Sequence, residues 1–462
     1  MSKAASVTDF LAKRSIEFEL VKVGRDESGH YRSETGPITQ DAILRAVTMR
    51  ADGARYLAIL PQPYLLDFEV LKRVQGLDLT IVTDYAFDPS IQSFKPAKLP
   101  ALPLMFGMVG IVDESIFKRD TVYLFSDEPN LLVKLTIAQY KSLVEQDERA
   151  SFACGDDKLY SRKSAQQDVT EAVSQFTPIR IKQRIDETFD LPAMPDIAQE
   201  IMRLRVDPSA DAKKLGAIVA RDPSLAAQII SWASSPYYGY KGTIDSVETA
   251  ISRVLGFDLV MNLALGISIG KSLNVPDEGP LGIHAFWRQA VYSASLVEKL
   301  CLMIPPKQRP ERGLAYLAGL LHNFGHLLLG HLFSPQFKMI NDYIEANPEI
   351  RLEDIEHFVI GVTHQEIGAW LMKNWHMPDE LIVAVRWHHQ EEFWSKHAVY
   401  SNLVLLSNRL LKRIEMGDEV AGRLPQSTLE LLELDEQQVN TSFEQLLEER
   451  ESLDLMSKQL VA

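Results

Sequence analysis

Tryptophan and histidine are unevenly spread along this chain, and that unevenness limits what it can fold into. All six tryptophans lie at or beyond Trp232, and nine of the eleven histidines fall between His322 and His397. The first 150 residues hold one histidine and no tryptophan. A partition this sharp in a chain of 462 residues, longer than one core supports, points to at least two domains of different kind.

The hydrophobic period changes at the same place. Up to residue 150, short β-rich runs ("EFELVKV", "YLAILP", "LTIVT", "MVGIVDES", "TVYLFS", "LLVKLT") read as strands. "DFEVLKRV" and "IAQYKSLV" read as helices, the second entered from Thr136 as N-cap. "FDPSIQSFKPAKLPALPL" is Pro-rich and aperiodic and reads as a loop, and Asp113 and Glu114 read as turn formers. An α+β domain over residues 1–150 fits this order. Residues 151–180 are polar and weakly patterned, the place for a linker.

The remainder is helical. Met194, Ile197, Ala198, Ile201 and Leu204 fall on one helical face. Asp222 and Pro223 suit an N-cap and first helical residue, Asp245 and Glu248 a capping box, and Gly256 a C-terminal stop. Beyond residue 412 lies an acidic tail, 413–462, with two amphipathic helical stretches.

The formal net charge of −15 disfavours bulk binding to nucleic-acid backbones, so no DNA partner is expected. Two cysteines, Cys154 and Cys301, form no disulfide framework or zinc knuckle, which suits the reducing cytoplasm. The first twenty residues lack a signal-peptide core. Gly313 to Phe333 has the length of a membrane span, but His322, His326 and His331 interrupt it, so it reads as a buried helix and no membrane partner is expected.

The chemistry concentrates in "LAGLLHNFGHLLLG", residues 317–330. A histidine followed by an aspartate holds divalent metals through neutral nitrogen and charged oxygen, and the carboxylate helps a bound water ionise. Here His322 is followed by Asn323. "HNFG" resembles the His-Asp-x-Gly signature of HD-type metal-dependent phosphohydrolases with the aspartate replaced. "GVTHQEIGAWLMKNWHMPDELIVAVRWHH" resembles the family's downstream block, with His364, His388 and His389 at positions that carry histidine ligands in metal-binding relatives. The resemblance puts Gln289 where the first histidine is expected and Asn408 where the closing aspartate is expected. With Gln289, Asn323 and Asn408 all neutral and no carboxylate at a matching position, the site reads as a relic, and neither metal nor other cofactor is expected. An unaided reading makes His322 a hydrogen-bonded core histidine and lets Asn323 cap or cross-link helices. His388 and His389, being adjacent, should point in different directions.

"LPAMPDIAQEIMRLRVDPSADAKKLGAIVARDPSLAAQIISWASSPYYG" and "IDSVETAISRVLG" resemble the front half of the HDOD domain, the HD-related output domain. With the downstream motifs the likeness covers about residues 181–412. It implies a bacterial regulatory module that keeps the helical scaffold while losing HD ligands. The first domain resembles the YbaK-like aminoacyl-tRNA deacylases, in "ILRAVTMRADGARYLAILPQPYLLDFEVLKRVQG" and "GMVGIVDESIFKRDTVYLFSDEPNLLVKLTIAQYKSLV". That resemblance implies a catalytic lysine and a glycine-rich loop. Arg45 stands in the lysine's place, and "KPAKLPALPLMFG" has no glycine before Gly107. Arg45 reads equally as a functional cation and as a solvent-exposed charge at a helix end or strand start.

The expectation is a cytoplasmic, multidomain protein: a degenerate YbaK-like α+β domain, then an all-α HD-like domain. It would act without catalysis in bacterial signal transduction, through a protein partner or a small ligand. Two enzymatic alternatives stand beside it. One is a metal-dependent HD-type phosphohydrolase acting on nucleotides. The other is an aminoacyl-tRNA deacylase, the only reading with a tRNA partner.

Overall fold

The structure, a computed structural model, describes residues 6–25, 30–34, 36–82, 98–128, 130–155, 192–419 and 422–461. It divides into two compact units, residues 1–167 with 340–358, and 168–339 with 359–462.

The first unit is an α/β sheet domain. Its strands are β1 (Glu19–Arg25), β2 (Tyr31–Ser33), β3 (Gly36–Pro37), β4 (Ile43–Ala51), β5 (Ala54–Pro61), β6 (Leu65–Leu66), β7 (Thr80–Ile81), β8 (Val109–Asp113), β9 (Thr121–Phe125), β10 (Leu131–Thr136), β11 (Glu148–Ala150) and β12 (Ala153–Cys154). The main sheet runs β11-β8-β5-β4-β9-β10-β1-β2-β3, with β7 also paired to β4. Its central hairpin, β4–β5, is antiparallel with Ala51 opposite Ala54. Asp52 and Gly53 between them both have positive φ (49° and 78°), as the tightest hairpin turn requires. β8 joins β5 in parallel, and β9 joins β4 in parallel. All six runs read as strands contain one. β4 escaped that reading because it is buried along nearly its whole length and does not alternate. The helix Phe68–Gln75 is capped by Asp67 and stopped by Gly76 at φ 64°, and Ile137–Leu143 opens on a full capping box of Thr136 and Gln139.

Three expectations need correction in this unit. The stretch read as a linker begins inside the fold, since β12 pairs with β6, while 156–180 lies outside the described residues. Most of the Pro-rich loop also lies outside them; its end forms the short helix Pro103–Phe106. Residues 340–358, read as part of the helical domain, belong to this unit.

The second unit is helical. The long helix Ile283–Met303 packs against Arg312–Leu321, Ala398–Lys412 and Arg450–Val461. Asp222 caps Pro223–Ala233 as expected. The expected capping box is one residue off: Ser246 caps Val247–Ala250, and Asp245 accepts the Thr249 hydroxyl at 3.0 Å. Gly256, at φ 83°, ends the π-turn Ile251–Leu255. The acidic tail is folded and docked, with Asp454 accepting from Arg288 at 2.8 Å and from the Tyr292 hydroxyl at 2.9 Å. The apolar stretch around residue 322 is not one helix. It breaks into Arg312–Leu321 and Phe324–Leu332. Among the described residues, no helix is long and apolar enough to cross a membrane. Leu317, Leu320, Leu321, Phe324, Leu327 and Leu328 are fully buried. At roughly 1.5–3 kcal/mol for each such side chain, they anchor the break firmly.

Candidate functional site

The histidines converge because each sits at a helix end. His322 closes Arg312–Leu321, His364 opens His364–Asn374, and His388 closes Asp379–Trp387 with His389 next in line. Thr363 caps the His364 helix in a reciprocal capping box with Glu366. Gly325, on Phe324–Leu332, brings that helix close against His364–Asn374. A Cβ there would stand 1.9 Å from the His364 carbonyl oxygen, so only glycine permits the approach that sets the His326 and His364 rings 4.2 Å apart.

His322, His364, His388 and His389 are all within 5% of full burial. The last two do not diverge as expected. Their ring centroids lie 4.2 Å apart, and both face the cluster. Three rings are anchored through Nδ1: His322 to the Gly319 carbonyl (2.8 Å), His388 to the Val385 carbonyl (2.9 Å) and His389 to Glu419 Oε1 (2.7 Å). These contacts assign the tautomers of His322 and His388 and leave all three Nε2 atoms turned inward. His364 Nε2 lies 3.2 Å from His388 Nε2.

No carboxylate stands at a position that the HD motifs match, but one from outside those motifs reaches this cleft. Asp418 enters it from the turn after Ala398–Lys412. Its Oδ2 lies 3.1 Å from His389 Nε2 and 3.6 Å from His364 Nε2, with the side chain 2% exposed. The turn is built for this delivery. Glu415 takes a left-handed φ of 59°, and Met416 N–H donates back to the Leu411 carbonyl, closing the helix. Gly417 then adopts φ 98°, and a Cβ on it would meet Gln289 Nε2 at 3.2 Å. Sequence reading missed Asp418 because it lies in a turn, ten residues past the expected aspartate position. The "MGDE" signal was present, but no helical period tied it to the histidines.

Two of the neutral residues that the HD resemblance sets at ligand positions hold this carboxylate. Gln289 donates to Asp418 Oδ1 at 3.1 Å, and Asn408 Nδ2 donates to the same oxygen at 3.4 Å. Gln289 also approaches His322 Nε2 at 3.5 Å. Asn323 does not cap or cross-link as expected. Its amide is buried, and neither end has a hydrogen-bond partner among the described residues.

Electrostatics divide the rings. Burial holds His322 neutral, lowering it to about 4, and burial with the neighbouring rings holds His388 well below the ordinary histidine range. Burial opposes charge on His389 too, but Asp418 and Glu419 outweigh it and raise that ring well above its ordinary range. Asp418 is correspondingly held well below the carboxylate range, with His389 overcoming the cost of burial. Arg409 Nε lies 2.7 Å from Glu419 Oε2, so two cations face two anions in a buried patch.

The HD family implies a divalent metal here, and the donors present fit one. His364, His388, His389 and Asp418 each offer one atom, all within 4.8 Å of one another. Three imidazole nitrogens and one carboxylate suit a borderline ion of the zinc class. Such an ion, when bound, would supply Lewis acidity. Gln289, Asn323 and Asn408 would supply no anionic ligand to it.

Arg45 lies elsewhere, within the first unit, and is not exposed as one reading had it. It is 3% exposed, near the start of β4. Its guanidinium donates to the carbonyls of Ala346 (2.7 Å) and Tyr64 (3.0 Å) and to Asn347 Oδ1 (2.6 Å). Burial lowers it to about 10, partly offset by Glu349. Asp113 serves structure as expected, accepting from the Ser115, Phe152 and Ala153 amides. The helix Phe257–Lys271 is buried on most sides and is a core helix.

Comparison with known proteins agrees with this architecture. Residues 191–391 match the model of the HDOD domain. A crystal structure from Marinobacter aquaeolei VT8, described as a "Putative signal transduction protein", is 33% identical; the match covers 96% of each chain with a TM-score of 0.81. An HDOD domain protein from Geobacter sulfurreducens, 20% identical, matches over 61% of this chain and 98% of its own, with a TM-score of 0.50, and shares the fold. A protein of Treponema pallidum (strain Nichols) is 23% identical over 328 residues, 70% of this chain, and the alignment spans 61% of that relative's length.

Proposed function

The chain belongs to the HDOD domain family, and on that premise we propose that it is a non-catalytic regulatory protein of bacterial signal transduction. Its helical unit serves as an output module that acts by binding a protein partner in the cytoplasm. One observation carries the reading. The centre where an HD hydrolase would receive its substrate holds the chain's own Asp418, tied to His389, Gln289 and Asn408 and shielded from solvent. A substrate phosphate would have to displace a buried carboxylate that already has a cationic partner, at a cost of several kcal/mol. The similarity to the Marinobacter protein supports the regulatory part.

The first unit fits the same reading. Arg45 is committed to backbone and amide partners within its own unit, which favours a structural role over aminoacyl-ester hydrolysis.

The test is hydrolysis of nucleotides, cyclic dinucleotides and a phosphate-ester reporter by the full chain, with Mn2+, Fe2+ or Mg2+ supplied. The expected result is no turnover above that of His388→Ala. Turnover abolished by His388→Ala would overturn the proposal.

A further inference from the structure

We propose that His364, His388, His389 and Asp418 form a closed four-ligand site for a zinc-class divalent ion, with Asp418 as a carboxylate ligand brought in by the turn after helix Ala398–Lys412. The proposal goes beyond the regulatory reading and does not depend on it.

The spacing argues first. Zinc bonds nitrogen and oxygen at roughly 2.0–2.1 Å, so a tetrahedral set has donor–donor edges of about 3.3 Å. The observed edges include His364 Nε2 to His388 Nε2 at 3.2 Å, His389 Nε2 to Asp418 Oδ2 at 3.1 Å, and His364 Nε2 to Asp418 Oδ2 at 3.6 Å. A hydrogen bond explains any one of these. It does not explain four donors from three chain segments meeting at one point.

The surroundings argue next. A metal-bound imidazole usually donates its other ring N–H to a carbonyl or carboxylate, which fixes its orientation. His388 does this to Val385 and His389 to Glu419. Asp418 has its second oxygen held by Gln289 and Asn408, leaving Oδ2 for the ion. The amides at two lost ligand positions thus orient the ligand that replaces them. Two further amide oxygens, on Asn323 and Asn408, are buried without a hydrogen-bond partner among the described residues.

Charge and coordination then specify the occupant. A dication with Asp418 leaves one positive charge, which Glu419 faces through His389. Three imidazoles exclude Mg2+ and Ca2+, which take oxygen ligands. Four protein ligands with solvent excluded make a closed site, and closed sites stabilise folds rather than activate water. Binding replaces the hydrogen bonds among the four side chains with bonds to the ion, and the displaced proton passes to solvent.

The experiment uses the full chain without a histidine tag, stripped with chelator and titrated with Co2+ and Zn2+. Elemental analysis gives stoichiometry, and visible absorption gives cobalt coordination. We expect about one ion per chain and the intense bands of four-coordinate cobalt. Asp418→Asn should weaken uptake by roughly 100-fold or more, and Glu419→Gln, which removes only the partner of His389, by about 10–100-fold. His284→Gln, at an exposed position, should leave the spectrum unchanged. Circular dichroism confirms that each variant is folded, and Glu419→Gln carries the test if Asp418→Asn is not. Absence of stoichiometric uptake, a six-coordinate spectrum, or uptake unchanged in the folded variants would each overturn the assignment. None of these readouts requires turnover, so they stand or fall apart from the hydrolysis assay.

Discussion

Removing the charge of Asp418 without changing its shape should destabilise the helical unit even when metal is absent. Asp418 lies 3.1 Å from His389, and both side chains are 2% exposed. Two unit charges about 3–4 Å apart interact by roughly 4–5 kcal/mol at an effective dielectric of about 20. Breaking a buried pair by removing one partner typically costs about 3–5 kcal/mol. In Asp418→Asn, Glu419 still faces His389 at 2.7 Å, so the lower end, about 3 kcal/mol, is expected. The assay pH follows from the direction of each shift. Asp418, held low, stabilises the fold above the ordinary carboxylate range and ceases to do so as pH falls through its folded value. His389, held high, contributes fully below about 6.5 and less as pH rises towards its folded value. The pair is therefore at full strength near pH 6. All six tryptophans lie in the helical unit, so tryptophan fluorescence during thermal unfolding in chelator reports on that unit. For a domain of this size, about 3 kcal/mol corresponds to a fall in Tm of about 6–12 °C. A double-mutant cycle with His389→Gln should return a coupling of about 2–3 kcal/mol. A loss below about 1 kcal/mol, or additive single mutants, would refute the claim that this pair holds the cleft together.

Four other outcomes follow from the same geometry. His322 is held neutral with a value near 4, so the unfolded chain binds more protons between about pH 4 and 6.5 and stability rises as pH rises across that window; His322→Gln should flatten that slope in urea midpoints measured by tryptophan fluorescence. Gly417→Ala places a Cβ at φ 98° and against Gln289, and should cost about 1–2 kcal/mol by thermal melting, with displacement of Asp418 visible in a crystal structure. Gly325→Ala drives a Cβ into the His364 carbonyl oxygen, and thermal melting should show a loss at the upper end of overpacking costs, about 3 kcal/mol. In the first unit, Asn347 Oδ1 accepts from Arg45 and from the Leu66 amide, both at 2.6 Å; Asn347→Ala should orphan these donors at about 1–3 kcal/mol each and speed hydrogen exchange at Leu66 at least about tenfold.

Local signals in the sequence were legible where one short stretch carries the physics. Thr136, Asp222 and Gly256 announce helix ends because a cap or a left-handed stop is made within one turn of the chain. The six β-rich runs each contain a strand, although β5 and β8 are buried along most of their length. β4 was missed because burial on both faces erases alternation, and the same burial turned Arg45 from a plausible surface charge into an internal tie. The break between His322 and Asn323 was missed because hydropathy runs through it without change.

The site divides along the same line. The motif order alone determined that an HDOD-type helical scaffold is present and that Gln289, Asn323 and Asn408 cannot supply negative charge. Side-chain chemistry at a matched motif does not depend on distant contacts. Tertiary structure decided whether the cleft has a carboxylate at all. Asp418 reaches it through a reversal at Glu415 and Gly417, a contact set by backbone dihedrals and close packing against Gln289, which no periodicity in the chain encodes. Tertiary structure likewise decided which rings are charged. A ring's protonation depends on burial and on partners at 3 Å, and His388 and His389, neighbours in sequence, were driven in opposite directions by those two quantities.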